Sequence, residues 1–305
     1  MPDLPPAHSG FAFPGLENLH NDIYPAISVA DTPSLKQPGK VVLITGANRG
    51  IGRSIALQYA HAGVATLVLV ARSSEKLKEV EDEIAKIDSG VQVRTFAANV
   101  SSEKDITTIK RSVETDLGRL DILINNAGAA SPWAPIPQTE PAGWWNDFET
   151  SVKGPYLFLH TFLPLLTATA KKNKEDGKLP KVDVINMSSI GAHVLMSGGS
   201  AYQTAKLALL RLTEFVDLEV GSEGVVAVGM HPGGVLTELG GSIEVIRPLL
   251  KDTPELAGGF CVWLTAQDRG WLGGRYVAAT WDVEKLESMR EAIVEGDKLR
   301  VRMVV

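Results

Sequence analysis

The stretch that decides the fold is residues 41–52, Val41-Val42-Leu43-Ile44-Thr45-Gly46-Ala47-Asn48-Arg49-Gly50-Ile51-Gly52. Five apolar or β-branched residues run into a turn holding three glycines, and a helical pattern opens directly after it. Glycines in that context allow a tight turn and let a pyrophosphate approach a helix N-terminus, where unpaired N–H groups and the helix dipole favour an anion.

Working outward, strand-like runs at 41–45, 66–71, 91–97, 120–125, 182–187, 225–230 and 276–279 alternate with helical stretches at 51–62, 75–86, 104–117, 142–170, 201–220 and 255–265. That alternation predicts an α/β chain, a Rossmann-type doubly wound parallel sheet of seven strands with helices on both faces, in a single domain spanning 39–283. Residues 1–38 carry Pro2, Pro5, Pro6, Pro14, Pro25, Pro33 and Pro38 without a sustained period, and read as an arm. Its apolar residues, Phe11, Phe13, Leu16, Ile23 and Tyr24, leave three options: packing along the body, packing on a partner subunit, or a disordered tail. Residues 171–180, KKNKEDGKLP, read as a solvated loop, and 284–305 as a C-terminal helical tail with an apolar end at 301–305.

The 305 residues are 44% apolar and 22% charged, enough for one large domain with a filled core. A net charge of −6 without a long basic run argues against nucleic acid as a partner. Cys261 is the only cysteine, which excludes an intrachain disulfide and a clustered-thiol metal site; no metal and a cytoplasmic, reducing compartment are expected. The start of the chain lacks the pattern of a secretory signal. The uncharged run 154–170 is shorter than the roughly 20 apolar residues a spanning helix needs and reads as a buried helix, so no membrane span is expected.

The chemistry lies downstream, in Ser188-Ser189, Tyr202 and Lys206. Tyr202 and Lys206 are four residues apart, which places a phenol and an ammonium one turn apart on the same helix face. Such a pair can exchange protons.

Four motifs in order resemble the short-chain dehydrogenase/reductase family over about residues 40–283: the TGxxxGxG pattern at 45–52, Asn125-Asn126-Ala127-Gly128, the Ser189, Tyr202 and Lys206 set, and Pro232-Gly233 with Val235 and Thr237. The resemblance implies an oxidoreductase that moves a hydride between a nicotinamide and a carbonyl or alcohol. Tyr202 is then the general acid or base, Lys206 favours its phenolate and reaches the nicotinamide ribose, and Ser189 holds the substrate oxygen. Cofactor contacts are expected at Gly46, Asn48, Arg49, Gly50, Ile51 and Gly52, at Arg72, Asn99 and Val100, at Asn126, Ala127 and Gly128, at Tyr202 and Lys206, and at Pro232, Gly233, Val235 and Thr237. The NNAG segment is expected to brace the sheet, the Pro232-Gly233 segment to hold the nicotinamide carboxamide. Asn99-Val100 replaces the family's usual Asp-Val, and the asparagine is expected to keep its contact with the adenine amino group.

NADP(H) is the expected cofactor, because Val70-Ala71-Arg72-Ser73 lacks the acidic residue that would repel a 2′-phosphate, while Arg49 and Arg72 offer guanidinium forks to it. One departure stands out: Ser151 occupies the position where the family usually carries an Asn that helps hold a proton-relay water. A serine hydroxyl or the local carbonyl could keep that water. Asn146, five residues earlier, is not assigned the role.

The substrate side is expected in residues 129–137, 193–199 and 238–250, lined by Trp133, His193, Met196 and Ile243 and suited to a small, apolar carbonyl compound. His193 is expected to line the pocket rather than act as a second base. Residues 237–250, with Gly240-Gly241, read as a lid. Carbonyl reduction is the favoured direction. The alternative is a cofactor-bound protein with a non-redox role, an isomerase, cyclase or scaffold, and Ser151 is the feature that favours it. Family members commonly form homo-dimers or homo-tetramers through helices matched here by 151–170 and 201–220, and the terminal extensions resemble those of fungal members, many from secondary metabolism.

Overall fold

A computed structural model describes residues 9–303. The prolines at 2, 5 and 6 and the valines at 304 and 305 lie outside the described residues. The strands are β1 (Val41–Thr45), β2 (Thr66–Ala71), β3 (Gln92–Ala97), β4 (Ile122–Asn125), β5 (Val182–Met187), β6 (Val225–His231) and β7 (Tyr276–Ala278). They form one sheet in the order β3-β2-β1-β4-β5-β6-β7, parallel throughout. The order reverses between β1 and β4, where Val42 stands beside Ile122. Such a switch point opens a crevice outside the strands' carboxyl ends.

β1, β2, β4, β5 and β6 are buried along their whole length, as expected of a parallel sheet covered on both faces. β3 is the exception, with Gln92, Arg94 and Thr95 exposed, as suits a sheet edge. Helices α1 (Gly50–His61), α2 (Ser74–Ile87), α3 (Glu103–Ser112), α4 (Pro141–Phe148), α5 (Gly154–Glu175), α6 (Ser200–Val220), α7 (Glu238–Gly241), α8 (Pro254–Ala266), α9 (Val283–Ser288) and α10 (Arg290–Glu295) complete the chain. One core joins the sheet to α1, α2 and α8; the other lies beneath α3 and α5.

Several helical stretches differ from the sequence reading: the helix expected over 104–117 is α3 followed by a π-helical turn, Val113–Leu117, and the expected C-terminal tail holds the two short helices α9 and α10. The single helix expected over 142–170 is divided: α4 and α5 are joined by a π-helical turn, Glu149–Lys153, and such turns often mark functional positions. α5 also runs to Glu175, into the expected loop, where Lys172 pairs with Asp176 at 2.7 Å and basic residues favour a helix C-terminus.

The described part of the N-terminal segment lies along the body and shares its core. Leu16, Ile27 and Leu35 are buried beside Phe260 and Trp281. The Phe13 ring meets the Trp281 ring edge-on at 5.2 Å, Trp281 Nε1 donates to Phe11 O at 3.0 Å, and Gln37 Nε2 donates to Val262 O at 3.0 Å. Gly259 on α8 is required by this close approach, since a Cβ there would lie 2.8 Å from Ile27 O.

Candidate active site

β1 delivers the chain into the glycine turn, and α1 begins at Gly50. The turn is packed tightly enough to need a missing side chain: a Cβ on Gly52 would lie 2.1 Å from Gly46 O. Asn126 Nδ2 donates to Thr45 O at 2.9 Å, and the Asn126 and Ala127 N–H groups donate to Thr45 Oγ1 at 3.0 Å. Asn125 continues the brace through Asn186 (2.8 Å) to Thr213 (2.9 Å) on α6. The first turn of α1 has neither a side-chain cap nor an acidic residue, a helix start of the kind that suits an anion.

A cleft of about 660 Å³ opens there, within the size range of cofactor sites. The glycine turn lines it from Gly46 and Asn48 through Gly52, followed by Arg72, Asn99, Val100, Asn126, Ala127 and Gly128, then Tyr202, Lys206, Pro232 and Thr237. Gly233 and Val235 stand behind this wall rather than on it. The bare glycine turn, the uncapped helix start and the basic mouth fit a dinucleotide. Arg49, Arg72 and Lys76 surround the outer end. Arg49 pairs with Glu238 across the mouth. Asn99 uses its amide oxygen locally, accepting from Ser101 N at 3.1 Å and Ser101 Oγ at 3.0 Å.

Ser188, and not Ser189, lines the cleft; Ser189 follows β5 in extended conformation, and its Oγ accepts from Gly191 N at 3.0 Å. Tyr202 and Lys206 lie one turn apart on α6, with Lys206 Nζ 5.6 Å from the Tyr202 ring centre. Lys206 Nζ donates to Met187 O at 2.7 Å, and Ser188 Oγ donates to Lys206 O at 3.0 Å. Burial raises the Tyr202 phenol above its ordinary value, against a lowering hydrogen bond with Ser189. Desolvation is the largest of the influences on it, and the nearby Asp147 carboxylate adds to the rise. Burial also pushes Lys206 down to about 8, with Asp147 acting to raise it.

Asp147 is a residue that sequence reasoning passed over. It is buried on α4 and accepts from Ser131 N at 2.9 Å and from Ser131 Oγ at 3.0 Å, tying down the loop after β4. Burial raises its pKa, against those hydrogen bonds. Lys76 was passed over too. Asn146, Glu149 and Thr150 line the cleft, whereas Ser151 is buried in the π-helical turn and its hydroxyl has no partner among the described residues. Asn146, Glu149 and Thr150 stand at i, i+3 and i+4, the spacing of one helix face, and Ser151 falls off it.

The four residues expected on the substrate side do not line the main cleft. Trp133 packs on Gly198 and Gly199 with its buried Nε1 unpaired among the described residues. His193 meets the Tyr276 ring edge-on at 4.6 Å, Met196 N donates to Gln203 Oε1 at 3.1 Å, and Ile243 is buried. His231, at the end of β6, is held neutral by burial, with its pKa lowered to about 4, and its Nδ1 accepts from Ile190 N at 3.2 Å. Exposed Ile136, Leu195, Leu236, Val245 and Leu249 stud the loops after β4, β5 and β6. No helix among the described residues is long and apolar enough to cross a membrane.

The family model described as short chain dehydrogenase matches residues 40–245. Short chain dehydrogenase mpl6 of Monascus purpureus is 41% identical over 304 residues, covering 98% of this chain and 99% of the relative. Among solved structures, the 3-ketoacyl-(acyl-carrier-protein) reductase from Brucella melitensis complexed with NADH superposes with a TM-score of 0.70 at 24% identity, covering 80% of this chain and 97% of that one. A putative short chain dehydrogenase from Escherichia coli CFT073 complexed with NADPH gives 0.71 at 23%, covering 81% and 98%.

Proposed function

The chain belongs to the short-chain dehydrogenase family, an oxidoreductase fold, and from that premise we propose that it is an NADP-dependent reductase of a ketone or aldehyde in a small, apolar substrate. One observation carries the reading: the Tyr202 phenol, one helical turn from Lys206, lines a cleft whose other end is basic. Arg49, Arg72 and Lys76 would hold the 2′-phosphate, and the end of β2, Val70-Ala71-Arg72-Ser73, carries no acidic residue to oppose it.

A bound reduced nicotinamide supplies the hydride. Ser189 Oγ positions the carbonyl oxygen, and Tyr202 donates its proton to that oxygen as negative charge develops there. A phenol raised by burial is protonated at neutral pH, which suits donation and hence reduction. The Lys206 ammonium, anchored by Met187 O, stabilises the phenolate left behind. The exposed apolar side chains of the surrounding loops favour an apolar substrate. We further propose a homo-oligomer assembled through α5 and α6, whose Tyr156, Phe215 and Leu218 are exposed.

The test follows nicotinamide absorbance with NADPH or NADH against a panel of apolar ketones, quinones and aldehydes. NADPH-selective consumption supports the proposal. Tight NADPH binding without consumption on any of them favours the second reading, a cofactor-bound non-redox protein, to which Ser151 at the family's usual Asn position points.

A further inference from the structure

The structure assigns Asn21 and Asp252 as a positioning pair: the segment preceding β1 clasps the loop after β6 at its neck and thereby sets the turn at Gly233 and Gly234, behind the inner wall of the cleft. The assignment builds on the reading of that wall as a nicotinamide site.

The neck is built from both ends of the loop. Gly234 N donates to Asp252 Oδ2 at 2.6 Å, Asp252 N donates back to Gly234 O at 2.9 Å, and Val235 bridges Asp252 in parallel. Residues 236–251, which include the cleft-lining Leu236, Thr237 and Leu239, therefore hang from one closure. The carboxylate also fills the space a side chain at position 233 would need: Gly233 has φ +93°, and a Cβ there would lie 2.7 Å from Asp252 Oδ2.

The N-terminal segment locks this neck from outside. Asn21 Nδ2 donates to Asp252 Oδ1 at 2.7 Å, Thr253 N donates to Asn21 O at 2.8 Å, and Thr253 Oγ1 donates to Asp22 Oδ1 at 2.5 Å. Thr253 also caps α8, so the clasp is seated on a core helix. The same segment reaches the other flanking loop, because Tyr276 OH donates to Gly10 O at 3.4 Å and the space beside Gly10 is bounded by the His193 ring. Asn21 lies outside the residues the family model matches, whereas the Monascus relative aligns over nearly the whole chain. The clasp is thus an addition to the shared fold.

A reciprocal exchange tests it in the full-length protein. Asn21→Asp sets two carboxylates against each other; adding Asp252→Asn restores a donor between them while the new amide oxygen still accepts from Gly234 N. Two readouts are taken: hydrogen exchange at residues 234–250 without cofactor, and NADPH affinity by fluorescence titration. The expected result is faster exchange and about tenfold weaker NADPH binding in Asn21→Asp, the scale of one charge-assisted hydrogen bond, with both restored in the double variant. A single variant indistinguishable from the parent, or a double variant no better than Asn21→Asp, overturns the clasp. If no variant nor the parent binds NADPH while exchange still follows the exchange of residues, the clasp stands and the cofactor reading falls.

Discussion

The two ends of the sheet treat buried polar groups differently. At the amino ends of the strands, each ion is answered. Asp121 accepts from Val41 N and from Arg119, at 2.9 and 2.7 Å, with Lys40 at 3.3 Å. Lys181 pairs with Asp183 at 2.8 Å and donates to Gln267 O at 2.7 Å. At the carboxyl ends the groups are only half answered. Lys206 has one hydrogen bond and a lowered pKa, Tyr202 a raised one, and the Ser151 hydroxyl no partner among the described residues. The first arrangement stabilises the fold; the second leaves polar valence for a ligand to complete.

Breaking the second end should abolish chemistry and spare the fold. Tyr202→Phe is expected to lower kcat by about 10²–10⁴-fold, the usual worth of a positioned proton donor, with the melting temperature and NADPH affinity nearly unchanged. Stopped-flow turnover alongside a fluorescence titration decides this, and unchanged turnover would sink the mechanism. Breaking the first end should do the reverse. Lys181→Met leaves Asp183 buried and uncompensated, and is expected to cost about 3–5 kcal/mol of stability while the folded fraction keeps its kcat; denaturant unfolding read beside activity makes the measurement.

The contrast can be sharpened by pH. Lys206, lowered to about 8, carries its charge below that pH and loses it above, so kcat/KM for reduction should fall as pH rises through about 8. Asp147→Asn removes the negative field that raises Lys206, so the midpoint of that fall should move to lower pH. A profile superposable on the parent's would show that Asp147 acts only through Ser131. The smallest effect is expected for Ser151→Asn, which should be tolerated with turnover equal to the parent's or a few-fold higher. Loss of folding, read by circular dichroism, would mean that the serine has its own task.

Much of this was legible before any coordinates. The strands announced themselves as apolar runs, and the glycine turn, Ser189, Tyr202 and Lys206 as short local spacings. Other parts were not. The split of the 142–170 helix at Glu149–Lys153 leaves no mark on apolar periodicity. Lys76 looked like one more charge on an amphipathic helix.

By itself the sequence determined the strand succession, the glycine turn and the placing of Tyr202 and Lys206 on one helix face, because each is written in residues within a few positions of one another, where period and chirality act directly. Only the tertiary structure decided that Leu16, Ile27 and Leu35 of the N-terminal segment pack into the core, that Asn21 meets Asp252 across 231 positions, and that Arg49 faces Glu238 across the mouth. Contacts between remote residues arise when the assembled sheet brings loops together, and no local pattern carries that information.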